Sequence, residues 1–188
     1  MEDGDLAIAV NVALSGAFGG TGQKCTASSR LIVHEAVHDA FVEKLIAGAR
    51  AMKVGHALAA GTQMGPVVSQ QQLEENLAYV DLGKSEGAEL ACGGARMEMA
   101  TEGYYMSPGV FLNTTNAMRI NREEMVAPLT AVSKVGSYDE ALATVNDTEF
   151  GLTSGIVTRD LARATHFRRN AETGVVTVNL PTAGTDYH

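Results

Sequence analysis

From Leu6 onward apolar residues recur at helical spacing, with Leu6, Val10, Ala13, Leu14 and Ala17 on one face and Asp5 placed to cap the first turn. Glycines at 19, 20 and 22 end that helix. The pattern then changes at residues 30–33, where the apolar Leu31-Ile32-Val33 follows Arg30 and reads as a strand. Helical spacing returns with Val37, Phe41 and Leu45. Ser69 and Gln72 make a capping box ahead of Leu73, Leu77 and Val80, and Ser137 with Glu140 repeats the device ahead of Ala141, Leu142 and Val145. A last helix is predicted over residues 161–169. Further strands are predicted at 89–92, 109–112, 129–135, 154–157 and 175–178. Helices and strands that alternate through short loops indicate an α/β fold, a sheet covered by helices on both faces. The longest irregular stretches, 55–66 and 93–108, read as surface excursions, and no internal repeat or interdomain linker is evident.

Composition narrows the classes of partner. A chain of 188 residues is of single-domain size. Its 14 basic and 22 acidic residues leave a net charge of −8, which disfavours nucleic acid or any other polyanion. No apolar run is long enough to span a bilayer, so no membrane partner is expected. The acidic start Met1-Glu2-Asp3-Gly4-Asp5 lacks the basic and apolar regions of a signal peptide. Two cysteines far apart in sequence suit a reducing compartment and argue against a disulfide framework. These features point to the cytoplasm.

The residue with most chemical content is Cys25. It follows the glycine-rich run 19–22 and precedes the apolar run 31–33, with the small residues Thr26, Ala27, Ser28 and Ser29 next to it. Glycines allow sharp turns and close approach, which suits a thiolate presented at the mouth of a cleft. A small buried hydrophobe beside a turn is the other reading, and local chemistry alone does not separate the two. Cys92, at the end of the short strand predicted over 89–92, reads as buried and inert. His34-Glu35-Ala36-Val37-His38 matches His-Glu-x-x-His, the pattern of zinc proteases, with Glu35 as base for a metal-bound water. That chemistry needs both imidazoles on one helical face. His34 directly follows a strand, so the rings are expected to diverge, and solvated loop and helix-start histidines are the favoured reading; no metal is expected. A non-enzymatic module that binds its own copy is a third class.

Four segments carry a family resemblance. Gly22-Gln23-Lys24-Cys25-Thr26-Ala27-Ser28-Ser29-Arg30 resembles the nucleophile motif of the aldehyde dehydrogenase superfamily, and Asn121-Arg122-Glu123-Glu124-Met125-Val126-Ala127-Pro128 resembles its second signature. Residues 146–152 and 174–179 are similar to further family segments, in the family's order. The resemblance implies a three-layer sandwich with a mostly parallel sheet, residues 1–188 forming a single catalytic domain. It implies oxidation of an aldehyde or semialdehyde, 2-oxoglutarate semialdehyde being the nearest in overall similarity, to a carboxylic acid through a thiohemiacetal on Cys25. Lys24 and Arg30 are nearby cations that would favour the thiolate, pointing to solvent being the other reading of each. Glu124 would bind the ribose hydroxyls of NAD or NADP, and residues 179–182, otherwise a plain strand exit, would line the aldehyde pocket. Val126 and Ala127 depart from the family pattern, which has an aromatic residue and glycine there. The resemblance also implies that the dinucleotide-binding half, the general-base Glu and the oxyanion Asn lie upstream of Met1, and the oligomerisation strand of a homo-oligomer beyond His188. Glu89, before Leu90, sits on the wrong side of Cys25 for the general base. A segment of this extent is expected to bind no cofactor and to be inactive alone.

Overall fold

The computed structural model describes residues 1–183. In chain order these form α1 (Leu6–Phe18), β1 (Arg30–His34), α2 (Glu35–Ala51), α3 (Gln70–Ser85), β2 (Glu89–Cys92), β3 (Arg96–Met97), β4 (Tyr105–Met106), β5 (Gly109–Leu112), α4 (Arg119–Arg122), β6 (Leu129–Val135), α5 (Tyr138–Asn146), β7 (Thr153–Ile156), α6 (Leu161–Asn170) and β8 (Val175–Val178). Side-chain caps set where the helices begin. Asp5 Oδ1 accepts from the Ala7 and Ile8 N–H groups at 2.9 and 3.1 Å, and Ser69 Oγ accepts from Gln72 N–H at 3.1 Å. The reciprocal half of the expected box at Ser69 does not form, because the Gln72 amide donates to Asn76 instead. At α5, Ser137 Oγ accepts from Glu140 N–H, while Glu140 Oε2 reaches the N–H of Gly136, one residue before the cap.

Four strands make the main sheet in the order β1-β6-β5-β2. β1, β6 and β5 are mutually parallel, in registers such as Leu31 with Val132 and Val110 with Thr130, and β2 closes the far edge antiparallel to β5. Strand alternation then sorts side chains to two cores. Val33, Val110 and Val132 face Phe18, Phe41 and Leu45 of α1 and α2. Phe111, Leu129 and Ala131 face Leu73, Val80 and Ile120 of α3 and α4. Each large side chain buried here stabilises the fold by about 1.5–3 kcal/mol. The result is the three-layer arrangement the sequence pattern predicts, a parallel-rich sheet between helices.

Two details differ from the sequence reading. Residues 93–108 are largely exposed, as a surface excursion would be, but not wholly irregular: they contain the β3–β4 hairpin, in which Tyr105 and Met106 are fully buried. Strands β7 and β8 pair in parallel with each other but not with the main sheet. An apolar cavity separates β7 from β1, so each strand keeps a free edge.

The β7–α6 corner is held by the start of the chain. Asp3 Oδ2 accepts from Thr158 Oγ1 and from the N–H groups of Arg159 (2.8 Å) and Asp160 (3.0 Å), and its Oδ1 accepts from Arg163 at 2.8 Å. Burial opposes the ionised form of Asp3, yet these donors together hold its pKa down at about 2. Asn146 ties α5 to the far end of α6 through Asn170 O and Glu172 N–H.

Candidate functional site

Three successive left-handed residues, Gly20 (φ 64°), Thr21 (φ 64°) and Gly22 (φ 65°), carry the chain from α1 toward Cys25. A Cβ on Gly22 would lie 2.0 Å from Ala127 O, so glycine alone lets this loop rest against the segment that bears Glu124. Thr21, a threonine in a strained conformation, is fixed by its hydroxyl donating to Gly65 O at 3.2 Å. Residues 24–27 form a turn closed by Ala27 N–H to Lys24 O at 3.0 Å. Cys25 occupies its second position and is exposed. The N–H of that position takes no part in the turn's own hydrogen bond, which leaves it able to receive an oxyanion.

The turn is pinned on three sides. Gln23 Oε1 accepts from Val68 N–H at 2.9 Å. Ser28 N–H donates to Gly16 O at 3.0 Å. Thr182 Oγ1 donates to Thr26 O at 2.8 Å and lies 2.9 Å from Ser28 Oγ. The bond from Thr182 to Thr26 spans 156 residues of chain, and nothing in the local sequence signals it.

Cys25 opens on a cavity of about 470 Å³ that runs between β1 and β7. Glu124, Phe150 and Leu180, all exposed, line it with the thiol, as does Thr182. The strand exit 179–182 is therefore part of the cleft wall. Within it Asn179 is latched to Thr158 by two hydrogen bonds of 3.0 Å and does not face a ligand. The two adjacent acids have different roles. Glu123 accepts from Arg119 at 2.6 Å and from Tyr79 at 3.2 Å, and the Arg119 hydrogen bond lowers its pKa. Glu124 projects into solvent at the cleft. An exposed carboxylate is an acceptor suited to sugar hydroxyls, so the residues present fit a nicotinamide ribose at this position.

The two cations near Cys25 also separate. The Lys24 side chain folds over Gly20, with Cε 3.0 Å from where a Cβ on that glycine would stand. Arg30 does not serve the thiol. Its guanidinium donates to Asn116 Oδ1 (2.7 Å), Thr144 O (3.2 Å) and Val145 O (3.1 Å), tying β1 to the last turn of α5. The expectation that it favours the thiolate gives way to that geometry: its donors are taken by the Asn116 side chain and by two carbonyls at a helix end.

His34 ends β1 and caps α2, its Nδ1 accepting from Ala36 N–H at 3.2 Å. His38 lies inside α2 with Nδ1 2.8 Å from Asp39 Oδ1. It is 7% exposed, buried rather than solvated as a helix-start histidine would be. Among the described residues no three His, Cys, Asp or Glu side chains gather as a metal site would require. Cys92 is buried at the end of β2, and burial pushes its thiol pKa up. Glu89 accepts from Asn113 at the sheet's outer edge. No helix among the described residues is long and apolar enough to cross a membrane.

Known proteins are similar to this chain in sequence and in fold. The chain is 40% identical over 187 residues to the alpha-ketoglutaric semialdehyde dehydrogenase of Bacillus subtilis, an alignment covering 98% of this chain and 38% of that protein. It is 42% identical to the alpha-ketoglutarate semialdehyde dehydrogenase of Haloferax volcanii, covering 100% of this chain and 39% of that protein. The chain thus spans little more than a third of the length of these curated relatives. Among solved structures, HpcC from Thermus thermophilus superposes with a TM-score of 0.93 at 38% identity, over 99% of this chain and 36% of that one. Betaine aldehyde dehydrogenase from Staphylococcus aureus, solved in complex with NAD+, superposes with a TM-score of 0.92 at 33% identity, over 95% and 36%. The family described as "Aldehyde dehydrogenase family" matches residues 1–188, and the chain belongs to it.

Proposed function

We propose that this chain supplies the thiol-bearing catalytic domain of an NAD- or NADP-dependent aldehyde dehydrogenase acting on a semialdehyde, and that it is incomplete as an enzyme by itself. One observation carries the reading. Cys25 stands exposed on a pinned turn at a cleft shared with Glu124, while the other thiol is buried. In this reading the Cys25 sulfur bonds to the aldehyde carbon, and the carbonyl oxygen becomes an oxyanion held by the Cys25 N–H. The thiohemiacetal then loses a hydride to become a thioester, and water cleaves the thioester to the carboxylic acid and free thiol. A bound nicotinamide cofactor supplies the hydride acceptor. Glu124 would fix its ribose, and the wall formed by Phe150, Leu180 and Thr182 would contact the aldehyde. The general base and the remaining oxyanion donor belong to the part of the relatives' length that this chain does not span. Two free cysteines and a net charge of −8 support a cytoplasmic enzyme that binds a small molecule rather than nucleic acid. Exposed Leu58, Val68 and Leu161, outside the cleft, support self-association into a homo-oligomer.

An acylation experiment separates the parts of this proposal. p-Nitrophenyl acetate should place a single acetyl group on Cys25, found by peptide mapping, and the acyl-enzyme should decay slowly for lack of a base. Acylation at Cys92, or none, contradicts the nucleophile assignment. Mixed with semialdehydes and NAD+ or NADP+, the chain should give no sustained absorbance from reduced nicotinamide. Sustained turnover lost in Cys25→Ala would mean that the domain needs no further part.

A further inference from the structure

Four charged side chains line the cavity on which Cys25 opens: Lys24, Arg30, Glu123 and Glu124. Two of them are already engaged. Arg30 donates to Asn116 and to the carbonyls of Thr144 and Val145, and Glu123 accepts from Arg119 and Tyr79. Lys24 and Glu124 are exposed, and among the described residues neither forms an ion pair, with each other or with any other group. An ammonium donates three hydrogen bonds and accepts none. Left open at a cleft, it is a site for an anion, as the Glu124 carboxylate is one for hydroxyls.

The backbone gives Lys24 a fixed root. Its carbonyl accepts from Ala27 N–H at 3.0 Å, which closes the turn that carries Cys25. Its side-chain stem lies against Gly20, with Cε, Nζ and Cδ at 3.0, 3.7 and 3.9 Å from where a Cβ on that glycine would stand. Gly20, at φ 64°, therefore serves twice: it makes the left-handed turn and leaves the space the stem occupies. An apolar stem laid on the protein with its charged head in water is a stable arrangement for lysine. The Cα atoms of neighbouring residues are about 3.8 Å apart. The Lys24 charge is thus within reach of a group a few carbons beyond the one bonded to the Cys25 sulfur. Phe150 and Leu180, on the wall of the same cleft, are apolar and offer an anion nothing.

We propose that Lys24 is a specificity-determining residue of this site, its ammonium pairing with a carboxylate at the far end of the aldehyde. The substrate class is then aldehydes that carry a carboxylate a few carbons from the carbonyl, and the same charge repels aldehydes with a cationic tail. The inference rests on Cys25 being the nucleophile and adds the charge that the cleft selects. A carboxylate and the diphosphate of a dinucleotide are both anions, and the test separates them.

The chain is labelled with methanethiosulfonates bearing a carboxyethyl, a trimethylammonioethyl or a methyl group. In each reaction the Cys25 thiolate bonds to the reagent's divalent sulfur and methanesulfinate leaves. Rates at Cys25 are divided by those of the same reagents with 2-mercaptoethanol. All three consume the same thiolate, so any change in its amount cancels in the ratio of anionic to cationic rates. That ratio should fall about fivefold or more in Lys24→Gln and stay near the wild-type value in Lys24→Arg, and the difference should shrink in about 1 M salt. Glutarate should slow the methyl reagent in the wild type more than in Lys24→Gln, and more than pyrophosphate does at equal ionic strength. An unchanged ratio in Lys24→Gln overturns the proposal. So does stronger protection by pyrophosphate, which would assign Lys24 to a cofactor's diphosphate. In both cases Cys25 remains the labelled thiol and the nucleophile assignment stands. Labelling of Cys92 as fast as Cys25 by the methyl reagent would instead remove that assignment, and this inference with it.

Discussion

The four-stranded sheet and the β7–α6–β8 corner flank the same cavity but are held together by different physics. In the sheet, Phe111, Val110, Val132 and Leu129 are at most 1% exposed and face helices on both sides. The corner exposes Leu152 and Leu161, and its attachments are polar: Asp3 to the turn 158–160, Asn179 to Thr158, Asn146 to α6, and Thr182 to the Cys25 turn. Apolar burial is strong and non-directional, whereas each hydrogen bond contributes about 0.5–1.5 kcal/mol but fixes a geometry. The sheet therefore carries the stability and presents β1, while the corner is a lightly attached wall whose position sets the shape of the Cys25 cleft.

The largest effect should come from the sheet. Phe111→Ala removes a fully buried ring between β5 and α3 and should cost about 3–5 kcal/mol in urea denaturation. A loss under about 1 kcal/mol would erase the contrast between the two regions. Asp3→Ala should cost less, about 1–2 kcal/mol at neutral pH, since it removes the acceptor for four donors around the start of α6. Asp3 titrates near 2 in the fold against an ordinary value of 3.8. A depressed carboxylate contributes fully above its unfolded pKa and loses that contribution as acid protonates it. Stability should therefore fall as pH drops from about 4 to about 2, and Asp3→Asn should flatten that part of the pH profile. An unchanged acid profile in Asp3→Asn would remove Asp3 from the account of the corner. The smallest change in stability belongs to Thr182→Val, about 1 kcal/mol or less. Its effect should appear instead in the alkylation rate of Cys25, which rises several-fold as the turn loses its clasp to Thr26 and Ser28. Equal rates in the wild type and this variant would mean that Thr182 does not constrain the thiol.

The same division explains what the sequence disclosed. The alternation of Val110 with Phe111 and of Ala131 with Val132, and the caps at Asp5, Ser69 and Ser137, are short-range patterns, so the sheet, its two helical layers and most element limits could be read from them. Strands β7 and β8 could be read as strands, but their separation from the main sheet is set by which edges meet, and that leaves no periodic signal. The β3–β4 hairpin was hidden because each of its strands has two residues, within a stretch bounded by glycines and Pro108. At the site, family resemblance singled out Cys25 and Glu124 as candidates, and both line one cleft. The clasp by Thr182, the diversion of Arg30 to α5 and the burial of His38 depend on contacts far apart in sequence or on the orientation of a single helix face. Composition and spacing do not encode these.

The central claim is that Cys25 alone is presented for attack, and competitive alkylation tests it most directly. The folded chain is treated with limiting iodoacetamide at neutral pH, quenched at intervals and mapped by peptide mass spectrometry. The account predicts that Cys25 is labelled while Cys92, buried at the end of β2 with its thiol pKa raised, remains unmodified until the chain is unfolded in urea. Labelling of Cys92 at a rate equal to or above that of Cys25 in the folded chain would contradict it.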